Sequence, residues 1–360
     1  MVTTMTQLIK SEWKRISKNF WMAALAAMVI ALTAFGIMKL ISEHYIQTQI
    51  DTIDHIVSEC EQDIFDLQQN ERLSEDEQQQ LDFLNEYLAD LRYLKMLYAN
   101  PKQNAEEIAR QRYALNQIMI EKEENETVDQ SLFMASIETL QKENNEYDAY
   151  WARKITPPVN PVEPNLSYAL TTNLDGYTPF MITVLLVVAL FLNNTWSEDS
   201  EYHTRTLYMA LPYSKVVLFA SRFITNMMAS FGILTIALIT LNVISGICFG
   251  TGSTLLVELG RRYIDLSHIA GGLILSNMVL IVMYSAFLQL LSIVVRNTVD
   301  FKIWASSFLI IDYFVLQANG TFHLRIENVW SFHGILISIL LALFTVILGL
   351  ISEWYFIRQR

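Results

Sequence analysis

Apolar and polar positions follow two distinct patterns along the chain. Six stretches come close to the roughly 20 apolar residues that a helix needs to cross a hydrocarbon layer about 30 Å thick. They are Phe20–Ile41, Tyr177–Trp196, a long tract Val216–Phe249, Leu273–Val295, Ile303–Ala318 and Gly334–Phe356. The third is long enough to tilt or to begin below the bilayer. Ahead of the first, Met5, Leu8, Ile9, Trp13, Ile16 and Phe20 recur every three or four residues, with Lys10, Lys14, Arg15 and Lys18 between them. That spacing predicts a basic amphipathic helix over residues 1–19, lying in the headgroup region.

Residues 42–176 follow the second pattern. Ile46, Ile50, Ile53, Val57, Cys60, Ile64 and Leu67 alternate steps of four and three, a heptad seam. Ser74 with Glu77 reads as a capping box opening a second helix, whose face is Leu81, Leu84, Leu88, Leu91 and Tyr98. Pro101 suits the first turn of a third helix running to about Glu124. Thr127 with Gln130 reads as a capping box for a fourth helix, carrying Phe133, Ile137, Leu140, Tyr147 and Trp151, with Asn144 interrupting the face. Pro157, Pro158, Pro161 and Pro164 then form a stiff extended linker. Breaks every 25 to 30 residues predict an antiparallel bundle rather than one rod. The expected fold is therefore all-α: a six-span membrane protein with a helical, coiled-coil-like insertion between spans one and two, followed by a five-helix membrane domain over 177–360.

Charge sharpens this division. The chain is 52% apolar and 17% charged, with a net charge of −12. Within 42–175 there are 27 acidic and 10 basic residues, whereas the remainder carries 10 acidic and 15 basic ones. An ordinary soluble enzyme is excluded, and no basic surface is extensive enough for a nucleic-acid partner. With the N-terminus in the cytoplasm, six spans return the C-terminus there. Lys10, Lys14, Arg15, Lys18, Arg205, Lys215, Arg222, Arg296, Lys302, Arg358 and Arg360 then lie inside, against Lys39, Arg261, Arg262 and Arg325 outside. This excess follows the positive-inside rule and predicts a multi-pass plasma-membrane protein with an extracellular acidic insertion. The insertion reads equally as a spacer or dimer contact and as a capture surface for a cationic ligand.

No glycine is followed by lysine, so the chain has no P-loop and binds no ATP by that device. There is no G-x-S-x-G elbow and no H-E-x-x-H helix. His44, His55, His203, His268, His323 and His333 are scattered, and no metal site is expected. Cys60 reads as a small core residue of the seam, and a disulfide with Cys248 is not expected. No catalytic constellation emerges, and the chain is expected not to be an enzyme.

The segment between spans two and three, residues 193–215, carries Glu198, Glu201 and Arg205 beside Leu207, Tyr208 and Leu211, with Pro212 ending the pattern. Glu201, Thr204, Leu207 and Leu211-Pro212-Tyr213-Ser214-Lys215 resemble the corresponding loop of ABC type-2 membrane permeases. In that loop an acidic residue, Gly-Thr, leucines and Leu-Pro-x-Ser-Arg precede the third span; here His203 replaces the glycine and Lys215 the arginine. The resemblance covers the membrane part and not the insertion. It implies a transmembrane exporter subunit that binds no cofactor itself and draws on ATP through two copies of a separate ATP-binding subunit. A second permease copy or paralogue would complete the path, with membrane lipid around it. Residues 193–215 would be the ATPase-coupling loop, and the cargo apolar or amphipathic: a peptide, lipid or drug.

Polar residues within the apolar stretches are candidates for an intramembrane path or for helix contacts. Asp312 lies near the middle of span five, where an ionisable group is expensive. Asn226, Asn242, Asn277, Ser285 and Gln289 fit interhelical hydrogen bonding better than substrate contact. Phe322, Ile326 and Trp330 form a candidate external gate, or else an amphipathic loop helix anchored by its aromatics. The competing reading of the whole is a non-transporting membrane scaffold, phage-receptor-like or secretion-accessory, acting through its extracellular domain.

Overall fold

A computed structural model of the chain describes residues 2–69, 73–124, 132–169, 179–192, 194–202, 215–252, 256–259, 262–265, 281, 284–285 and 287–319. They belong to two compact units. One comprises Ile37–Tyr168 and Thr251–Asp265, the other Met1–Gly36, Ala169–Gly250 and Leu266–Arg360. The first helix, α1 (Val2–Gln68), contributes to both without a break. The amphipathic segment 1–19 is thus not a separate element. Nothing in the sequence from Met1 to Gln68 stops a helix, since the stretch has no proline and only Gly36.

The acidic unit is built from α1 and three further helices, α2 (Glu75–Leu97), α3 (Ala105–Glu124) and α4 (Ile137–Ala152). At the start of α2, Glu77 N–H donates to Ser74 Oγ (3.2 Å), and Ser74 N–H donates to Glu77 Oε2 (2.7 Å), completing the capping box. Ion pairs of Arg92 with Glu61 and Lys95 with Asp54 set α2 antiparallel to α1. Tyr113 with Asp148 and Asn116 with Asn144 do the same for α3 and α4. The heptad seam is the core face: Ile53, Cys60 and Ile64 are buried with Leu84, Leu91, Leu115 and Leu140, while Ile46, Ile50, Val57 and Leu67 pack at its margin.

Two boundaries differ from the sequence expectation. Pro101 lies in the turn before α3, where Asn100 C=O accepts from Gln103 and Asn104 N–H. Helix α4 begins at Ile137, so Phe133 precedes it. Leu132 is instead held where the chain crosses the core, its carbonyl accepting from Tyr87 Oη at 3.1 Å. The described residues are mostly helical, as expected, with one short hairpin beside the helices. Residues Leu256–Leu259 (β1) and Arg262–Asp265 (β2) form an antiparallel hairpin that joins this unit. Leu256 N–H donates to Tyr150 Oη (3.2 Å), and Arg153 donates to the Tyr263 carbonyl. The box at Thr127 and Gln130 lies outside the described residues.

A polar cluster ties this bundle together. Arg112 Nε is 2.7 Å from Glu143 Oε1, and its other nitrogens donate to Gln49, Tyr98 and Glu143. Tyr147 donates to the same carboxylate at 2.5 Å. Burial pushes the Tyr147 phenol well above its ordinary pKa, against the opposing pull of Arg112. Asn144, read as an interruption, is buried and accepts from Asn116 Nδ2 at 3.1 Å.

The other unit contains α5 (Pro179–Phe191), α6 (Thr195–Glu201), α7 (Lys215–Phe249), a helical stretch 287–294 and α8 (Thr298–Asn319). Helix α5 is buried on nearly all sides and contacts α7 and α8. Its described part ends at Phe191, before the expected end of the second span, and Trp196 belongs to α6. Helices α1 and α7 lie side by side and parallel. Their contacts advance together, from Leu8 with Leu218 to Phe20 with Gly232 and Phe35 with Phe249. A Cβ on Gly232 would sit 3.0 Å from the Phe20 ring, so glycine is what lets that ring reach α7.

Among the described residues, α1 and α7 are long and apolar enough to cross a membrane. Only 22% and 28% of the residues in their most apolar windows are buried. Trp21, Leu25, Val29 and Leu32 on α1 and Ile239, Val243 and Ile247 on α7 are exposed, as are Ile303, Trp304 and Ile311 on α8. A soluble core helix would hide such residues, whereas these face outward.

The Arg112 cluster generates a prediction. Arg112→Leu strands the Glu143 carboxylate, and breaking a buried pair costs about 3–5 kcal/mol. Amide exchange through α3 and α4 in the full chain should speed up roughly 100-fold or more, and Arg112→Leu combined with Glu143→Leu should recover most of the protection. Equal exchange in the single and double variants would contradict the pairing.

Candidate functional site

Buried charged side chains of this unit converge on α6. Asp199 projects from its middle, and both carboxylate oxygens are engaged: Oδ2 lies 2.6 Å from Arg222 Nη1 on α7, and Oδ1 lies 3.1 Å from Arg15 Nη1 on α1. Glu12, one turn before Arg15, closes the ring with Oε1 3.1 Å from Arg222 Nε and Oε2 3.2 Å from Arg15 Nη2. The Arg222 side chain is 0% exposed, and those of Glu12 and Asp199 are 5% and 6% exposed. Two positive and two negative groups thus form a neutral ring, as burial of charge requires.

Two further contacts fix α6. Ser197 N–H donates to Ser292 Oγ (3.1 Å), and Ser197 Oγ donates to the Val295 carbonyl (2.6 Å). The acceptor is a carbonyl at the end of the 287–294 helix, one of the terminal groups a helix cannot satisfy itself. At the last turn of α6, Glu201 accepts from Thr298 Oγ1 (2.6 Å) and Thr298 N–H (3.1 Å). Asn297 caps α8 by accepting from the Val299 and Asp300 N–H groups, so the Glu201 carboxylate completes the first turn of α8 at its positive dipole end. These bonds from the Thr298 hydroxyl and backbone hold the Glu201 carboxyl below its ordinary pKa.

Helix α6 is therefore clamped to α1, α7, the 287–294 helix and α8 at once. A displacement of this seven-residue segment would be felt by all four. Of the expected loop residues, Glu201 contacts α8, and Glu198 is half-buried on α6, its carbonyl accepting from Tyr202 N–H. Arg205, Leu207, Tyr208, Leu211 and Pro212 lie outside the described residues. Glu12 and Asp199 were not singled out in the sequence, and Arg222 was read only as a flanking charge. Its position seven residues into an apolar tract was the available signal, because an ionisable group there demands a partner.

Ser285 Oγ lies 3.3 Å from Ser230 Oγ, an interhelical hydrogen bond of the expected kind. Asn226 and Gln289 depart from that expectation. Among the described residues, Asn226 Nδ2 and both amide atoms of Gln289 are buried and meet no hydrogen-bond partner, and neither does Asn242 Oδ1. Asp312 falls in α8, but its side chain is outside the described residues, as are Asn277, Phe322, Ile326 and Trp330. Among the described residues no three His, Cys, Asp or Glu side chains could hold a metal ion.

Compared with family models, curated proteins and solved structures, the chain matches none of them. The described structure defines a helical protein with two helices suited to crossing a membrane.

The depressed Glu201 pKa sets a pH dependence. Its stabilising contribution is complete above the ordinary glutamate value of about 4.3 and is lost as pH falls through the lower folded value. The Thr298 amide signal of protein labelled with 15N-threonine should titrate with a midpoint below about 4.3 and stay flat in Glu201→Gln. A midpoint above that value, or an unchanged titration in the variant, would contradict the contact.

Proposed function

We propose that the chain is the transmembrane subunit of an ATP-driven exporter of the ABC type-2 kind, with six spans, cytoplasmic termini and an extracellular helical insertion. The observation that carries the reading is the clamping of α6. A short helix of the segment between spans two and three is tied to the N-terminal part of α1, to α7 and to the junction between residues 287–294 and α8. A separate ATPase gripping this segment would pull on several membrane helices together.

The distribution of the segments supports the topology. On a six-span path, the N-terminus and the segments near 193–215 and 295–298 share the cytoplasmic side. Residues from each of these regions meet in the contacts of α6. The insertion and the segment between spans three and four would share the outside, and residues 251–265 join the same compact unit as the insertion. Arg262, at the start of β2, belongs to the same compact unit as the acidic insertion. Parallel packing of α1 and α7 fits two spans that cross in the same direction.

In this reading ATP binding closes the partner subunits, the movement enters through the coupling loop, and the spans of two permease copies re-orient around an apolar or amphipathic cargo. The chain itself carries no step of ATP hydrolysis. Glu201→Lys and Leu207→Asp should leave the protein inserted and abolish cargo export, with the ATPase no longer co-purifying in stoichiometric amounts. Unchanged export in both variants would remove the coupling role. Activity without any ATPase would favour the scaffold reading instead.

A further inference from the structure

Asn226 Nδ2 and the Gln289 amide are buried polar atoms of the unit that holds α6, and the contacts of α6 do not use them. Helix α7 and the 284–294 segment run antiparallel, because Ser230 meets Ser285 at one level while Leu218 and Phe219 cluster with Ile293 at another. Asn226 lies one turn before Ser230, and Gln289 four residues after Ser285. The register therefore brings the two amides to the same level, between the serine pair and the Leu218–Ile293 contact. Asn226 is 1% exposed and Gln289 0% exposed.

Asn226 Nδ2 is a donor, and Gln289 offers a donor and an acceptor; all three atoms are buried with no partner among the described residues. Leaving one such group unpaired costs about 1–3 kcal/mol, and three at one level are not explained by packing. Apolar residues of similar size would fill the same space at no such cost. Interhelical bonding does not account for them either, since the serine pair makes that bond one turn away.

We propose that Asn226 and Gln289 form a binding site for a neutral hydrogen-bonding group, occupied by water in the resting protein. A water molecule suits it, because bound waters typically make about three hydrogen bonds to otherwise unsatisfied groups. Amide and hydroxyl groups have the same donor and acceptor chemistry. An ion does not suit it: neither amide carries charge, and Arg222 and Asp199 are already paired with each other. The site stands on this geometry whether or not the chain exports anything.

Hydroxyl radicals generated by synchrotron radiolysis arise from bound water and oxidise the side chains beside it, which provides the test. Ser230→Cys and Ser285→Cys place a thiol one turn from the amides. Ala229→Cys and Ala237→Cys place one at positions on α7 that are also 0% exposed. The native thiol of Cys60, buried in the other unit, is the reference within each sample. In full-length protein in lipid nanodiscs, the thiols at 230 and 285 should oxidise at least ten-fold faster than those at 229 and 237. Adding Asn226→Leu with Gln289→Leu should bring them down to the control rate. Oxidation at the control rate from the outset would overturn the site. Fast oxidation that survives the leucine pair would overturn its assignment to the amides.

Discussion

A guanidinium cannot shed its proton inside a protein, so the buried Arg222 commands its surroundings. Its charge can be tolerated only if carboxylates reach it, and two do: Glu12 from α1 and Asp199 from α6. Each carboxylate is also bound by Arg15, which leaves the ring neutral. Removing Arg222, Glu12 or Asp199, the three most buried members, would leave an unbalanced charge in the ring. The ring thus fixes where the N-terminal turns of α1 lie and holds α6 against α7.

The remaining contacts of α6 build on that anchor. Ser197 satisfies a carbonyl at the end of one helix, and Glu201 satisfies the first amide of the next. A loop segment held this way is an integral part of the helical unit rather than a tether. On the proposed reading, that is the property a coupling element needs, because force applied to it is not absorbed by slack. The acidic unit follows a different principle. Its helices share a leucine- and isoleucine-lined core, with Arg112 and Glu143 as a polar pin across it. The hairpin at 256–265 joins that unit through Tyr150 and Arg153 on or beside α4.

Much of this was legible in the sequence. Heptad spacing located the face carrying Ile53, Cys60 and Ile64, and the Ser74–Glu77 pair located the start of α2, because both signals are local and periodic. The tract Val216–Phe249 coincides with α7 almost residue for residue, since composition alone marks an apolar helix of that length. Failures occurred where a distant partner decides the structure. Phe133 sits outside α4 because Tyr87 holds the Leu132 carbonyl, and Asn144 is a buried partner of Asn116 rather than a break. Glu12 is one acid among the bases of the N-terminal segment, and Asp199 is one of several acids between Ser197 and Glu201. Only their shared proximity to Arg222 sets them apart, and they stand far from it in sequence. Asn226 and Gln289 were legible as polar positions, but not as ones whose amide atoms lack a partner among the described residues.

The central claim is that one buried charge ring holds α6 and the start of α1 to α7. Amide hydrogen exchange in lipid-embedded protein, comparing the native chain with Arg222→Met, tests it most directly. The account predicts that residues 8–16 and 195–201 lose protection together, while α2 to α4 exchange as before. If protection of both segments survives the loss of Arg222, or if only one of them loosens, the ring does not unite them and the account is contradicted.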